Sequence, residues 1–433
     1  MKNKKIVGLA LSGGGYRAAA FHLGTLKKLY ELDILNTVDK ISSISGGSII
    51  GAFYCYYNKP FVEFENEIRK VLNSKSVIRN ILKSYTFIIV IAIFLICLIV
   101  SYFICKYIST WLSIPLYLIF IYLIGKYQFR FFPINKEIEK AYNEFLFKDA
   151  TLSDLKDQPE LAIGSTNLQS CRPFTFSKRK MEDSSYAFMD PPIKFDSGNF
   201  PIARAVTAST AVPSLFTPIR IDEIFFQNKE YFKLVSPVLV DGGIYDNQGI
   251  QKLTQPKSSY ECDIIITSDA GTKLPFEGSY NNTYTLILRT FETFMARIKN
   301  FQMIQNIYSS SSKEIAYLSL GWDLENCIPG FINNLKAGNI SQEIIDHHKI
   351  PNNYLKNIDY YKNQIIEILE INCNYKNIFS NNLNAKEIEI ARNVKTNLMP
   401  LTSIQIDCLA KHSSNLTELQ IKLYCPTLFK NDI

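Results

Sequence analysis

The sequence predicts an α/β protein with a mainly parallel sheet, an inserted transmembrane helical hairpin and a helical C-terminal region. Three observations carry this. Short apolar runs that end in Gly-rich turns alternate with helix-periodic segments in the first 83 residues and again from about residue 150. Between them lies a long stretch almost free of charge, and from about Thr283 onward the pattern turns helical and rich in Ile, Asn and Lys. The expected division is 1–83 and 127–282 as two parts of one α/β domain, 84–126 as the inserted hairpin, and 283–433 as the helical region.

Along the chain, KKIVGLAL reads as a first strand, too short in its apolar core for a signal-peptide h-region. AAAFHLGTLKKLYELDI has helical spacing, VDKISSIS is a second strand, and GGSIIGAFYCYY a second helix. Tyr85 to Cys105 holds 21 residues without a charge, about 31 Å of helix at 1.5 Å per residue. Lys106 interrupts, and Ile108 to Ile124 adds 17 more uncharged residues, with Pro115 inside. After the hairpin, NKEIEKAYNEFLF is helical, PELAIGSTNL and RPFTFS are short strands, and ARAVTASTAVPSLF starts as a helix that Pro213 and Pro218 stop. KLVSPVLVDGG and ECDIIITSDAG are strands that end in turns.

Composition narrows the function classes. With 47% hydrophobic and 20% charged residues the chain is globular. A net charge of +7 is mild for 433 residues, and no dense Lys/Arg run or zinc-finger spacing points to nucleic acid. The nine cysteines are scattered, odd in number and free of CxxC spacing, which fits reduced thiols and predicts no bound metal.

Three small-residue turns follow apolar strands. In the first, Gly13, Gly14 and Gly15 precede Tyr16 and Arg17, and successive amides opening a helix suit an oxyanion. Gly13, Gly15 and Ala18 also match the dinucleotide pattern G-x-G-x-x-A, but the acidic residue expected at the end of the second strand is replaced by Ser-Ile-Ser-Gly-Gly. The second turn, Ser43-Ile44-Ser45-Gly46-Gly47, has the small residues that a nucleophile elbow needs two places before and after its serine. The third places Asp241 before Gly242-Gly243 at a strand end, where a carboxylate can serve as general base. Each turn alone also reads as ordinary turn chemistry. The four histidines, His22, His347, His348 and His412, lack a strand-end setting after Asp241, so a Ser-His-Asp triad is not indicated, whereas a Ser-Asp dyad needs no histidine.

Taken in order, ALSGGGYRAAAFHLGTL, SSISGGSIIG and LVDGGIYDNQG resemble the patatin-like phospholipase family, as do LAIGSTNLQSCRPFTFS, ASTAVPSLFTPI and IIITSDAG between and after them. The resemblance covers about residues 5–80 and 150–272. It implies a three-layer α/β/α sandwich and a serine lipid acyl hydrolase without cofactor or metal. In that reading Ser45 is the nucleophile and Asp241 the general base. Gly13, Gly14 and Gly15 then form the oxyanion loop, with Arg17 beside it. Ser43 departs from the family's first elbow glycine, and the hydrophobic insertion has no place in the comparison.

The hairpin and the dyad constrain one another. Ser45 precedes the insertion and Asp241 follows it, so both meet on one side only if the chain crosses twice or enters and returns. Arg69, Lys70, Lys75, Arg79 and Lys83 before it, and Lys126 and Arg130 after it, place both flanks in the cytoplasm. The expected partners are the bilayer and a membrane lipid substrate; the sequence names no protein partner. Two other readings share these residues: an acyltransferase or thioesterase on the same dyad, and a non-catalytic lipid-binding protein of the same fold.

Overall fold

The computed structural model describes residues 4–213, 215–272, 276, 280–309 and 313–429. Nine strands among them form one sheet: β1 (Val7–Leu11), β2 (Lys40–Ile44), β3 (Glu160–Asn167), β4 (Arg172–Phe176), β5 (Met181–Asp183), β6 (Ile219–Arg220), β7 (Val238–Asp241), β8 (Ile264–Asp269) and β9 (Glu314–Ser319). β3, β2, β1, β8 and β9 run parallel in that order. β4, β5, β6 and β7 join antiparallel at the β3 edge.

Alternation along β1 explains the layers. Val7, Leu9 and Leu11 join one apolar core, and Ala10 joins a second with Ile250, Leu253, Cys262, Ile265 and Ile315. Helices α1 (Gly15–Glu31) and α2 (Gly46–Tyr56) pack together, and α1 lies along the helix Ser403–Tyr424. The short helix Ile250–Thr254 contributes to the second core. The result is the expected α/β/α sandwich.

The sheet is mainly parallel, as expected, and two details add to that reading. β7 is antiparallel to β3. The stretch after Thr283 is mostly helical but supplies β9, six residues buried along their whole length. Both faces of this edge strand are covered, so its sequence lacks the alternation that marks a half-exposed strand.

Helices α3 (Phe61–Ser74) and α4 (Val77–Lys83) lead to α5 (Tyr85–Tyr107) and α6 (Thr110–Phe131), both long and apolar enough to cross a membrane. At 23 and 22 residues they span about 34 and 33 Å. Their side chains face outward: Ser101 is the one buried residue of α5. The two helices pair along their length, with the Phe94 and Phe120 rings 6.4 Å apart. Their roots meet, with Phe87 and Phe132 5.8 Å apart. α6 kinks at Tyr127 before running into α7 (Ile134–Tyr142).

Candidate active site

The register along β3 brings the elbow and the carboxylate together. β2 ends with Ile44 opposite Gly164, and the next residue of that edge, Ser165, faces Asp241 of β7. β2 turns away at Ser45, and β7 fills the vacated edge from the opposite direction. Close approach is required here: a Cβ on Gly242 would lie 2.5 Å from the Gly164 carbonyl oxygen.

Ser45 sits at φ 48° and ψ −117°, outside the regions favoured by residues with side chains. Such strain costs about 1–3 kcal/mol and persists where the surroundings enforce it. Here the Ser45 amide donates to the Ser209 hydroxyl at 2.8 Å, and that hydroxyl donates to the Gly164 carbonyl at 2.6 Å. Ser48, one turn into α2, bonds Ser209 at 2.9 Å and Ser43 at 3.1 Å, so its hydroxyl is a buried brace for the elbow. A Cβ on Gly47 would run into the Leu11 carbonyl, which is why the elbow ends in glycine.

The Ser45 side chain neighbours the Asp241 carboxylate and offsets part of its upward shift. Both residues are buried. Burial pushes the Asp241 carboxyl up to about 6, against the opposing effects of the Gly243 amide and Ser45. That amide donates to Oδ1 at 2.7 Å. A carboxyl poised near neutrality beside a serine is the arrangement general-base catalysis asks for.

The three loop glycines are not equivalent. The Gly13 amide donates to the Asn247 carbonyl at 2.9 Å, so it is already spent, contrary to its expected place in the oxyanion loop. The Gly14 and Gly15 amides have no acceptor among the described residues, and neither has the Gly46 amide that follows Ser45. Gly14 holds φ 137°, a conformation that rules out most side chains. A Cβ on Gly46 would run into the Gly15 carbonyl, so the elbow and the loop lie in direct contact. Arg17 is half-buried beside Gly14, with its Nη1 donating to the Val394 carbonyl at 3.2 Å. Its Nε is buried without a partner among the described residues.

The same loop packs against the backbone at Asn397. Tyr16 donates its amide to the Asn397 carbonyl at 2.9 Å, and that carbonyl stands where a Gly15 side chain would be.

His22 is fully buried, bonded to Ser268 Oγ at 2.8 Å through Nδ1 and to the Ser12 carbonyl at 2.9 Å through Nε2. Burial lowers its pKa to about 4, so it stays neutral and braces Ser12. The Ser12 carbonyl in turn accepts the Gly47 amide at 3.0 Å. His348 is also buried, bonded to the Leu423 carbonyl at 2.9 Å.

Sequence reasoning missed Ser209, Asn247, Asn397 and the Gly46 amide. Only Gly46 carried a signal, as the residue after the elbow serine.

The Patatin-like phospholipase family model matches residues 9–253, more than half of the chain, and spans the loop, the elbow and Asp241. The chain belongs to the patatin-like phospholipase family. No curated protein sequence matches it. Among solved structures, human GIVD cytosolic phospholipase A2 is 13% identical with a TM-score of 0.49; the alignment covers 98% of this chain and 62% of that one. VipD from Legionella pneumophila is 14% identical with a TM-score of 0.32, covering 98% of this chain and 90% of its own. Likenesses this loose decide neither fold nor activity. The patatin-like chain spans under two thirds of the human enzyme's length.

Proposed function

We propose that this patatin-like protein is a membrane-anchored serine hydrolase that cleaves fatty-acyl esters of phospholipids or related lipids. The observation that carries it is the pairing register that sets Ser45, on a strained backbone turn, beside the buried Asp241 carboxyl, whose pKa is raised to about 6.

In this mechanism Asp241 accepts the Ser45 proton as the hydroxyl oxygen attacks the ester carbonyl. The Gly14, Gly15 and Gly46 amides donate to the oxyanion, where unspent backbone N–H groups are worth most. Asp241 returns the proton to the leaving alcohol. Water then gives a proton to Asp241 as its oxygen attacks the acyl carbonyl, and Asp241 passes that proton to Ser45 Oγ as the fatty acid leaves.

The hairpin holds this site at the bilayer. Its two roots meet on one side, which supports entry and return with Ser45 and Asp241 in the same compartment. The basic residues at both ends, among them Arg79, Lys83, Lys126 and Arg130, favour the cytoplasmic side, at about 1 kcal/mol for each cation near an anionic leaflet. Anchoring raises the local concentration of lipid and leaves the chemistry unchanged.

Mixed phospholipid vesicles with wild-type and Ser45→Ala protein, in EDTA, test the reading. Fatty acid release by the wild type alone is expected, and the lipid consumed identifies the substrate. Equal release by both proteins would overturn it.

A further inference from the structure

The root of the hairpin carries an apolar groove that the dyad does not use. It encloses about 600 Å³ between α5 and α6, and Cys97, Phe94, Phe120 and Ile124 line it. Leu215 and Phe216 from the catalytic body close its lower end. Ligand pockets for single lipophilic molecules run from about 300 to 1,000 Å³.

Adjoining it, and sharing Phe129 and Thr217, a second groove mixes apolar lining with charges of both signs: Lys136, Lys140 and Glu139, and Arg204 paired with Asp222 at 2.6 Å. Asn135 stands at the junction, 2% exposed, and neither Nδ2 nor Oδ1 has a partner among the described residues. A buried side-chain amide left unpaired is costly, which points to a ligand that completes it.

The apolar part lies on helices of bilayer length and the polar part where they leave the membrane. We infer that the two grooves together bind one membrane phospholipid, with an acyl chain between α5 and α6 and the glycerol ester region against Asn135. Lys136 and Lys140 flank its phosphate. The inference rests on the hairpin lying in a bilayer but not on the dyad being active.

The site also touches the catalytic body. The Asn135 backbone N–H donates to Thr217 Oγ1 at 3.3 Å, and the same segment, at Ala211, accepts the Asp241 backbone N–H at 2.9 Å. A lipid seated here borders the chain that holds the proposed base.

The test uses Ser45→Ala protein purified in detergent, so that no turnover removes the lipid. Native mass spectrometry is expected to show one retained phospholipid per chain. A phospholipid with a diazirine on its acyl chain, added in vesicles, is expected to label Leu215–Thr217 and the groove face of α5. Cys97→Trp, which fills the groove, and Asn135→Leu, which removes the amide, should each lower retention at least tenfold. No retained lipid, labelling confined to the outer faces of α5 and α6, or full retention in both variants would overturn the inference. Should a variant fail to fold, the labelling of the unfilled groove decides alone. Lipid retained by a wild-type chain that hydrolyses nothing would refute the proposed hydrolase and leave this site standing.

Discussion

Ser45 and Asp241 are placed at neighbouring rungs of a single strand, one following the partner of Gly164 and the other facing Ser165. Two strands that approach β3 from opposite directions end within a residue of each other there. Their meeting is a property of backbone pairing, before any side chain is considered.

The first prediction concerns the strain at Ser45. A glycine relieves a left-handed backbone and an alanine does not. Ser45→Gly is expected to be more stable than Ser45→Ala by about 1 kcal/mol in thermal unfolding. Both should lose at least a thousandfold in ester hydrolysis. Equal melting temperatures would show that Ser45 carries no strain.

The pH dependence follows from Asp241. The base must be ionised, so kcat/KM should rise through an apparent pKa of about 6 and level off above it. The stability effect has the opposite sign. Its folded pKa lies above the unfolded value of 3.8, so the protonated carboxyl is favoured in the fold. That contribution is complete below pH 3.8 and is lost as pH rises through about 6. Asp241→Asn, which is always neutral, should therefore unfold at higher temperature than wild type at pH 7.5, by up to about 3 kcal/mol, and be inactive. A destabilised Asn variant would contradict the assignment.

His22 works the other way. Its folded pKa of about 4 lies below the usual 6.5, so its contribution is complete above pH 6.5 and is lost as pH falls through about 4. His412, held near 4 by burial, adds in the same direction. His22→Ala leaves the Ser12 carbonyl and Ser268 hydroxyl without their partner and should cost about 2–4 kcal/mol at pH 7. Its acid-unfolding midpoint should shift with less dependence on pH between 6.5 and 4, read by circular dichroism.

The elbow's packing gives a fourth expectation. Gly47→Ala drives a methyl group into the Leu11 carbonyl. The backbone must shift, at about 1–3 kcal/mol. Because Gly47 fixes the turn, activity should fall more than tenfold even where the variant remains folded. Near wild-type activity would show that the elbow tolerates wider spacing.

Much of this was legible in the sequence. The three turns each end an apolar run, and a turn that presents backbone amides or a sharp corner needs small residues, so its composition reports its geometry. The hairpin was legible because 21 uncharged residues in a row have few other uses. The missed features are all non-local. β7 pairs antiparallel with β3 because of where the chain arrives after residue 200, and four residues of Val-Leu-Val-Asp carry no record of direction. The loss of the Gly13 amide to Asn247 depends on residues 234 positions apart. Ser209 lies in AVTAST, where its neighbours are equally small hydroxyls, and only the folded sheet selects it to hold the elbow. β9 escaped because a strand buried on both faces has no period to read.

The account turns on Ser45 being an activated nucleophile, and covalent labelling tests that most directly. Detergent-solubilised, folded protein is incubated with an alkyl fluorophosphonate at pH 7.5, and the intact mass and adduct peptide are measured. One adduct per chain, on Ser45, absent from Ser45→Ala and slowed at least a hundredfold in Asp241→Asn, is the predicted result. A folded wild type that takes up no probe, or a Ser45→Ala chain labelled as fast as wild type, would contradict it.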